Sequence, residues 1–192
     1  MSEKRNLRPF LLAALLVLAA DIATKLLIHH NLIAGQRSIP ILGDWARLTY
    51  IHNPGAAFGL FQGSRWFFIA VEALSALIIL SLALSTRYRD PAMQVAFGLI
   101  LGGAAGNLFD RLWLGVVIDF LDVGIGRHRW PVFNVADSGV TIGVVLLALR
   151  LLADRRGHES AGEEKPDAGI SADRPSDGRP AIEDGLESGH GR

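Results

Sequence analysis

Gly98-Leu-Ile-Leu-Gly-Gly-Ala-Ala-Gly-Asn-Leu-Phe-Asp-Arg111 begins as a membrane-type helix and ends in a knot of polar side chains. Small and branched apolar residues run as far as Gly106, and then Asn107, Asp110 and Arg111 crowd into the last turns. A second polar island, Phe133-Asn-Val-Ala-Asp-Ser138, opens the next apolar run, and the connection between the two carries Asp119 and Asp122. Ionisable groups at membrane depth are costly and by default mark a functional site. Two such clusters at facing ends of consecutive apolar runs predict a two-carboxylate site built at a membrane surface.

Working outward, four apolar segments approach the ~20 residues a helix needs to cross a bilayer. They run from about Pro9 to Ile28, Trp66 to Leu84, Ala92 to Leu112 and Val135 to Ala153. Each carries a few polar residues, so the helices are expected to pack together and turn those residues inward. The small residues of 98–106 suit close helix approach. The basic N-terminus and its apolar core resemble a cleavable signal peptide, but the apolar pattern resumes after Asp21 and reaches membrane length, so it is read as a span.

The 192 residues carry no net charge, yet residues 1–153 are +4 and 154–192 are −4. There is no cysteine, which removes disulfides and thiolate metal sites, and no basic stripe with interleaved aromatics, so nucleic-acid binding has no support. From about Asp154 onward Gly, Pro, Ser and charged residues dominate, which predicts a disordered polar tail. An even number of crossings puts both termini on one side. That side would hold Lys4, Arg5, Arg8, Arg87, Arg89, Arg150, Arg155 and Arg156, against Arg37, Arg47, Arg65, Arg127 and Arg129 opposite. The excess favours cytoplasmic termini and outward loops at 29–65 and 113–134.

The first outward loop contains Ser38-Ile-Pro-Ile-Leu-Gly and Trp45-Ala-Arg-Leu-Thr-Tyr-Ile-His52, rich in β-branched and aromatic residues. This predicts a short strand or two on the membrane surface, ended by a turn at Asn53-Pro-Gly. Trp45, Tyr50, Trp66 and Trp113 suit an interfacial aromatic belt.

Among the acids, Asp119 lies shortly after the third span and Asp137 in the first turn of the fourth, so an antiparallel helix pair would bring them together. Two close carboxylates share a proton: the ionised one can take a proton from water while the protonated one polarises a carbonyl. Asp110 is read as paired with a nearby cation. Asp122, one helical turn beyond Asp119, is expected to face solvent, and Glu72 to hydrogen-bond to another helix. Asp21 and Lys25, spaced i, i+4, form a pair on one helix face. Asn107 and Asn134 can donate to a carboxylate or orient a substrate backbone. His29, His30 and His52 lack metal-ligand spacing and receive no role. On these grounds an aspartyl hydrolase, a proton-coupled small-solute transporter using Glu72 as a relay, and a divalent-metal site all stay open.

Five blocks in order carry a resemblance: Asp21-Ile-Ala-Thr-Lys25, Asn53-Pro-Gly-Ala-Ala-Phe-Gly59, Gly102-Gly-Ala-Ala-Gly-Asn-Leu-Phe-Asp-Arg111, Val117-Ile-Asp-Phe120 and Phe133-Asn-Val-Ala-Asp-Ser138. Placed between four spans, they make the chain resemble the bacterial lipoprotein signal peptidases, signal peptidase II, over residues 9–153. One departure is Ile22, where that family often has a polar residue such as Gln. The resemblance implies an all-α polytopic membrane protein with a small extracytoplasmic β-platform in the first outward loop. It implies an intramembrane aspartyl endopeptidase of the inner membrane, needing no metal or other cofactor; a monomer is expected, though not from the motifs. Its partners would be membrane lipids and lipidated prolipoproteins, cut just before the lipidated cysteine. Carried over by position, Asp119 and Asp137 would be the catalytic pair. Asp21, Lys25, Asn53, Asn107, Arg111 and Asn134 would support the site or hold substrate.

Overall fold

The computed structural model describes residues 6–32, 38–55, 64–85 and 90–163. It contains α1 (Arg8–Asn31), β1 (Ile39–Leu42), β2 (Ala46–Asn53), α2 (Arg65–Leu84), α3 (Pro91–Trp113), β3 (Val117–Ile125), β4 (His128–Arg129) and α4 (Val135–Glu163). All four helices are long and apolar enough to cross a membrane. The α4 helix continues past position 154 to Glu163. The rest of the polar tail, residues 56–59 of the 53–59 block, and Lys4, Arg5, Arg37, Arg87 and Arg89 lie outside the described residues.

Helix boundaries follow local chemistry. α3 starts at Pro91, whose missing N–H costs nothing in a first turn, with the Asp90 carboxylate capping Met93 N–H at 3.1 Å. α1 ends with His29 and His30 in its last turn, where a helix favours positive charge.

α3 is the hub, packed against the other three helices. Its glycines make this possible. A Cβ on Gly98 would lie 2.3 Å from the Phe10 carbonyl oxygen, one on Gly102 2.5 Å from that of Ala14, and one on Gly103 2.3 Å from that of Ala136. The bundle keeps its ionisable side chains inside, beside an apolar cluster of Phe10, Ala83, Met93 and Phe97, and turns apolar ones outward: Asp21, Lys25, Asn107, Asp110 and Arg111 are all buried, while Leu12, Leu16, Leu27, Leu77 and Leu149 are exposed. That inversion is what a lipid surround requires.

The strands form one antiparallel sheet in the order β1-β2-β3-β4. This corrects the expected platform, because both long connections build it and β3 comes from the second one, 113–134, for which the sequence predicts no strand. Val117-Ile-Asp-Phe-Leu-Asp-Val123 has the β-branched and aromatic content of a strand and pairs with β2, Ile51 opposite Asp119 and Asn53 opposite Val117. The sheet is seated on the helix ends by a cluster of Ile28, Tyr50, Ile118 and Phe120.

Candidate active site

The N-terminus of α4 organises the site. Asn134 is its N-cap: the side-chain oxygen accepts from Asp137 N–H at 2.8 Å, and the Asp137 carboxylate accepts from Asn134 N–H at 3.3 Å. This reciprocal arrangement is a capping box, with Asp in the place usually taken by Glu. It fixes Asp137 in the first turn of the helix.

The same asparagine reaches the other acid. Its amide Nδ2 lies 2.8 Å from Asp119 Oδ1, 3.0 Å from Asn107 Oδ1 and 3.3 Å from the Ile118 carbonyl. The other oxygen of Asp119 accepts from Asn53 Nδ2 at 2.8 Å. Asp119 is therefore held by an amide from the end of β2 and another from the start of α4. Burial pushes its carboxyl up to about 7, and the nearby negative charge of Asp137 pushes in the same direction. Asn107 completes the frame, donating to Asp137 Oδ1 at 2.7 Å.

Beneath these acids lies a buried ionic layer. Lys25 Nζ sits 2.7 Å from Asp21, 2.8 Å from Asp110 and 3.1 Å from Asn107 Oδ1. Asp21 spends its other oxygen on α4, accepting from Ala136 N–H at 2.9 Å, and Asp110 accepts from Ile118 N–H at 3.1 Å. One cation thus ties α1 to α3, and its two carboxylate partners hold the start of α4 and of β3. The expected i, i+4 pair is present, and the cation beside Asp110 is Lys25, not its sequence neighbour Arg111.

Arg111 points elsewhere. It pairs with Glu72 on α2, donates to the Gly55 carbonyl at 3.2 Å, and stands 4.8 Å from the centre of the Phe68 ring. Glu72 therefore does bond to another helix. Its partner, 39 positions away, had no signal in the spacing; Phe68, one turn before Glu72 on α2, places its ring on the same guanidinium.

Two readings need correction. Asp122 is buried and does not face solvent: it accepts from Thr49 at 2.8 Å and from Arg129 Nε at 2.5 Å. It lies three positions from Asp119 along a strand, not a helix, and odd spacing on a strand reverses the side-chain face. Tyr50 is likewise buried and is no belt residue. Its hydroxyl lies between His29 Nδ1 at 2.7 Å and His52 Nε2 at 2.8 Å, a contact between α1 and β2 that spacing gave no sign of. Trp45, Trp66 and Trp113 are exposed as expected.

A groove of about 570 Å³ runs between α2, α3 and α4, walled by Ile79, Ile100, Val140 and Leu147, with Glu72, Asn107 and Asp137 at its polar end. An apolar trough ending on a carboxylate suits an apolar polypeptide whose polar backbone must be reached at one point.

Comparison with known proteins agrees with this geometry. The family model described as signal peptidase (SPase) II matches residues 13–153. A lipoprotein signal peptidase of Moorella thermoacetica is 46% identical over 153 residues, covering 79% of this chain and 99% of the relative. One of Syntrophus aciditrophicus is 40% identical, covering 80% and 98%. A solved bacterial membrane enzyme superposes with a TM-score of 0.75 at 32% identity, over 88% of this chain and 99% of that one. By sequence and by fold, this chain belongs to the signal peptidase II family.

Proposed function

We propose that this protein is a membrane-embedded aspartyl endopeptidase that removes the signal peptide from diacylglyceryl-modified prolipoproteins just before the lipidated cysteine. The supporting observation is that one residue, Asn134, touches both Asp119 and Asp137. Residues 1–153 form the peptidase domain, working as a monomer. Its termini are cytoplasmic, and the sheet and acids lie near the outer face, as the Arg and Lys distribution favours.

In this reading the signal helix lies in the apolar groove and its scissile carbonyl meets the acids. Asp119, with its raised affinity for protons, carries the shared proton and polarises the carbonyl. Asp137 takes a proton from the attacking water. The carbon–oxygen bond forms as Asp119 delivers its proton to the carbonyl oxygen, giving a tetrahedral diol with no covalent enzyme adduct. On collapse the carbon–nitrogen bond breaks, the amine leaves with the proton from Asp137, and a diol hydroxyl returns one to Asp119. General acid–base work of this kind contributes about 10²–10⁴-fold, so positioning and electrostatic stabilisation by the surrounding amides supply much of the rest. Asp21, Lys25, Asn53, Asn107 and Arg111 support the site.

The test is conversion of a lipidated precursor to its mature form by the reconstituted protein. Asp119→Asn and Asp137→Asn should each abolish it while the variants still insert and fold. Full activity in either variant refutes the pair. Loss of folding with residual turnover would instead make the acids a helix lock.

A further inference from the structure

The far end of the sheet carries a feature that proteolysis does not use. The β1–β2 and β3–β4 turns lie side by side: the Asp44 carboxylate accepts from Gly126 N–H at 2.5 Å, and the Trp45 carbonyl accepts from Gly124 N–H at 2.9 Å. Arg129 clamps the pair, donating to the Asp44 carbonyl at 2.9 Å and to Asp122. This makes a double tip of fixed shape. Leu42, Trp45, Ile125 and Trp130 stand on it, at 61%, 58%, 68% and 65% exposure, and Ile39 and Ile41 extend the apolar surface along β1. Arg127, exposed on the same tip, has no carboxylate partner among the described residues.

Position narrows the occupant. β3 begins three residues after the α3 C-cap at Leu114, at the end of a span, and its nine residues at ~3.3 Å each carry the tip roughly 25 Å from there. Exposed large apolar side chains along the edge strand β1 and on both turns are a liability in water. Two exposed tryptophans beside an arginine with no carboxylate partner among the described residues are instead what the headgroup layer of a bilayer selects, the rings at the boundary and the guanidinium on phosphate. An added peptide strand is less well served, because Pro40 deprives β1 of an N–H donor.

We propose that the twin tip is a lipid-interface anchor. Leu42, Trp45, Ile125 and Trp130 dip into the headgroup boundary of the leaflet next to the sheet, with Arg127 on lipid phosphate. The sheet is then fixed at both ends, by the helix bundle at Asn53 and Val117 and by lipid at the tip. That holds the end of β2, and with it Asp119, at a set depth relative to a substrate that is itself confined to the membrane. The anchor rests on the four helices spanning a bilayer, not on the chemistry at the acids.

The chain has no cysteine, so a spin label can be placed at one site at a time. The full-length protein would carry Ile125→Cys or Trp130→Cys, two sites so that failure of one to fold leaves the other. Val145→Cys, on the exposed face of α4, reports the span in the same phosphatidylcholine vesicles with minor phosphatidylglycerol. The expected result is an oxygen-to-nickel-chelate collision ratio at the tip at least about threefold above that of free label in buffer, approaching the ratio at Val145→Cys. A water-like ratio at the tip with a lipid-like ratio at position 145 overturns the anchor and leaves the membrane fold standing. Low collision with both reagents at the tip also overturns it, since the patch would then be covered by protein, a second copy being the only one in the vesicle. A water-like ratio at position 145 would instead refute the spans themselves.

Discussion

Asn134 caps its own helix and at the same time donates to Asp119, 2.8 Å away on a different element. Cap and carboxylate contact are thus one residue, so helix start and acid geometry cannot drift independently. Asn134→Ala removes a cap, worth about 0.5–2 kcal/mol, and strips a buried carboxylate of one donor. We expect a melting temperature lower by a few degrees, together with a fall in kcat on the order of 10²-fold, as when one preorganised donor is lost. Asn134→Ser, which can cap but not reach Asp119, should recover stability without recovering turnover. Thermal unfolding and single-turnover processing of both variants check this.

The pH dependence follows from Asp119. Its carboxyl goes from 3.8 in an unstructured chain to about 7 in the fold, first through burial and second through Asp137. The folded state therefore binds more protons than the unfolded state between those values. This stabilising contribution is fully present below about 4 and is lost as pH rises through about 7. Asp119→Asn should flatten the decline in melting temperature across that window. In the parent enzyme, kcat/KM should fall as pH rises past about 7, as the acids lose their shared proton. A kcat/KM that keeps rising well into the alkaline range would contradict the assignment of the proton to Asp119.

Gly106 is where α3 makes room for the ionic layer. A Cβ there would meet Asp21 Oδ2 at 2.5 Å and the Ala136 Cβ at 3.3 Å. Gly106→Ala should therefore push Asp21 off Lys25 or off the α4 N-terminus. The overpacking costs about 1–3 kcal/mol. Gly126→Ala is the control, with open space around its Cβ and only a φ of +55° to strain. Its cost is of order 1 kcal/mol, and processing should persist. Equal loss of processing in the two variants would show that Asp21 is not the element disturbed.

How much of this was legible depends on whether the signal was local. The four spans were, because ~20 apolar residues leave few alternatives. The pairing of Asp21 with Lys25 follows from helical spacing. β3 was not legible as a strand: Val117–Ile125 alternates poorly because residues on both its faces are buried, Ile118, Phe120 and Asp122 on one and Val117 and Asp119 on the other. Nor could spacing show that Lys25 serves Asp110, 85 positions away, or that Asp21 caps Ala136, 115 positions away. Those contacts arise only when α3 brings α1 and α4 together. The corrected reading of Asp122 has the same source, since its partners Thr49 and Arg129 sit on two different strands.

Arg111 and Glu72 decide whether Glu72 is a structural partner of the peptidase site or a proton relay to it. Arg111 uses its guanidinium on three fronts: the Glu72 carboxylate, the Gly55 carbonyl and the Phe68 ring. A lysine ammonium is a point charge that cannot span them. Arg111→Lys should thus keep the charge and still lose position, lowering kcat by roughly tenfold or more through displacement of the Asn53–Gly55 turn and, with it, the amide on Asp119. Glu72→Gln retains an acceptor for Arg111 but cannot carry a proton. As a structural partner it should cost activity only about two- to fivefold, chiefly through the weaker bond to Arg111. A relay would instead be abolished by that change. Processing rates of the two variants in the same vesicles therefore decide between the readings: a dead Glu72→Gln beside an active Arg111→Lys would reverse the roles assigned to this pair.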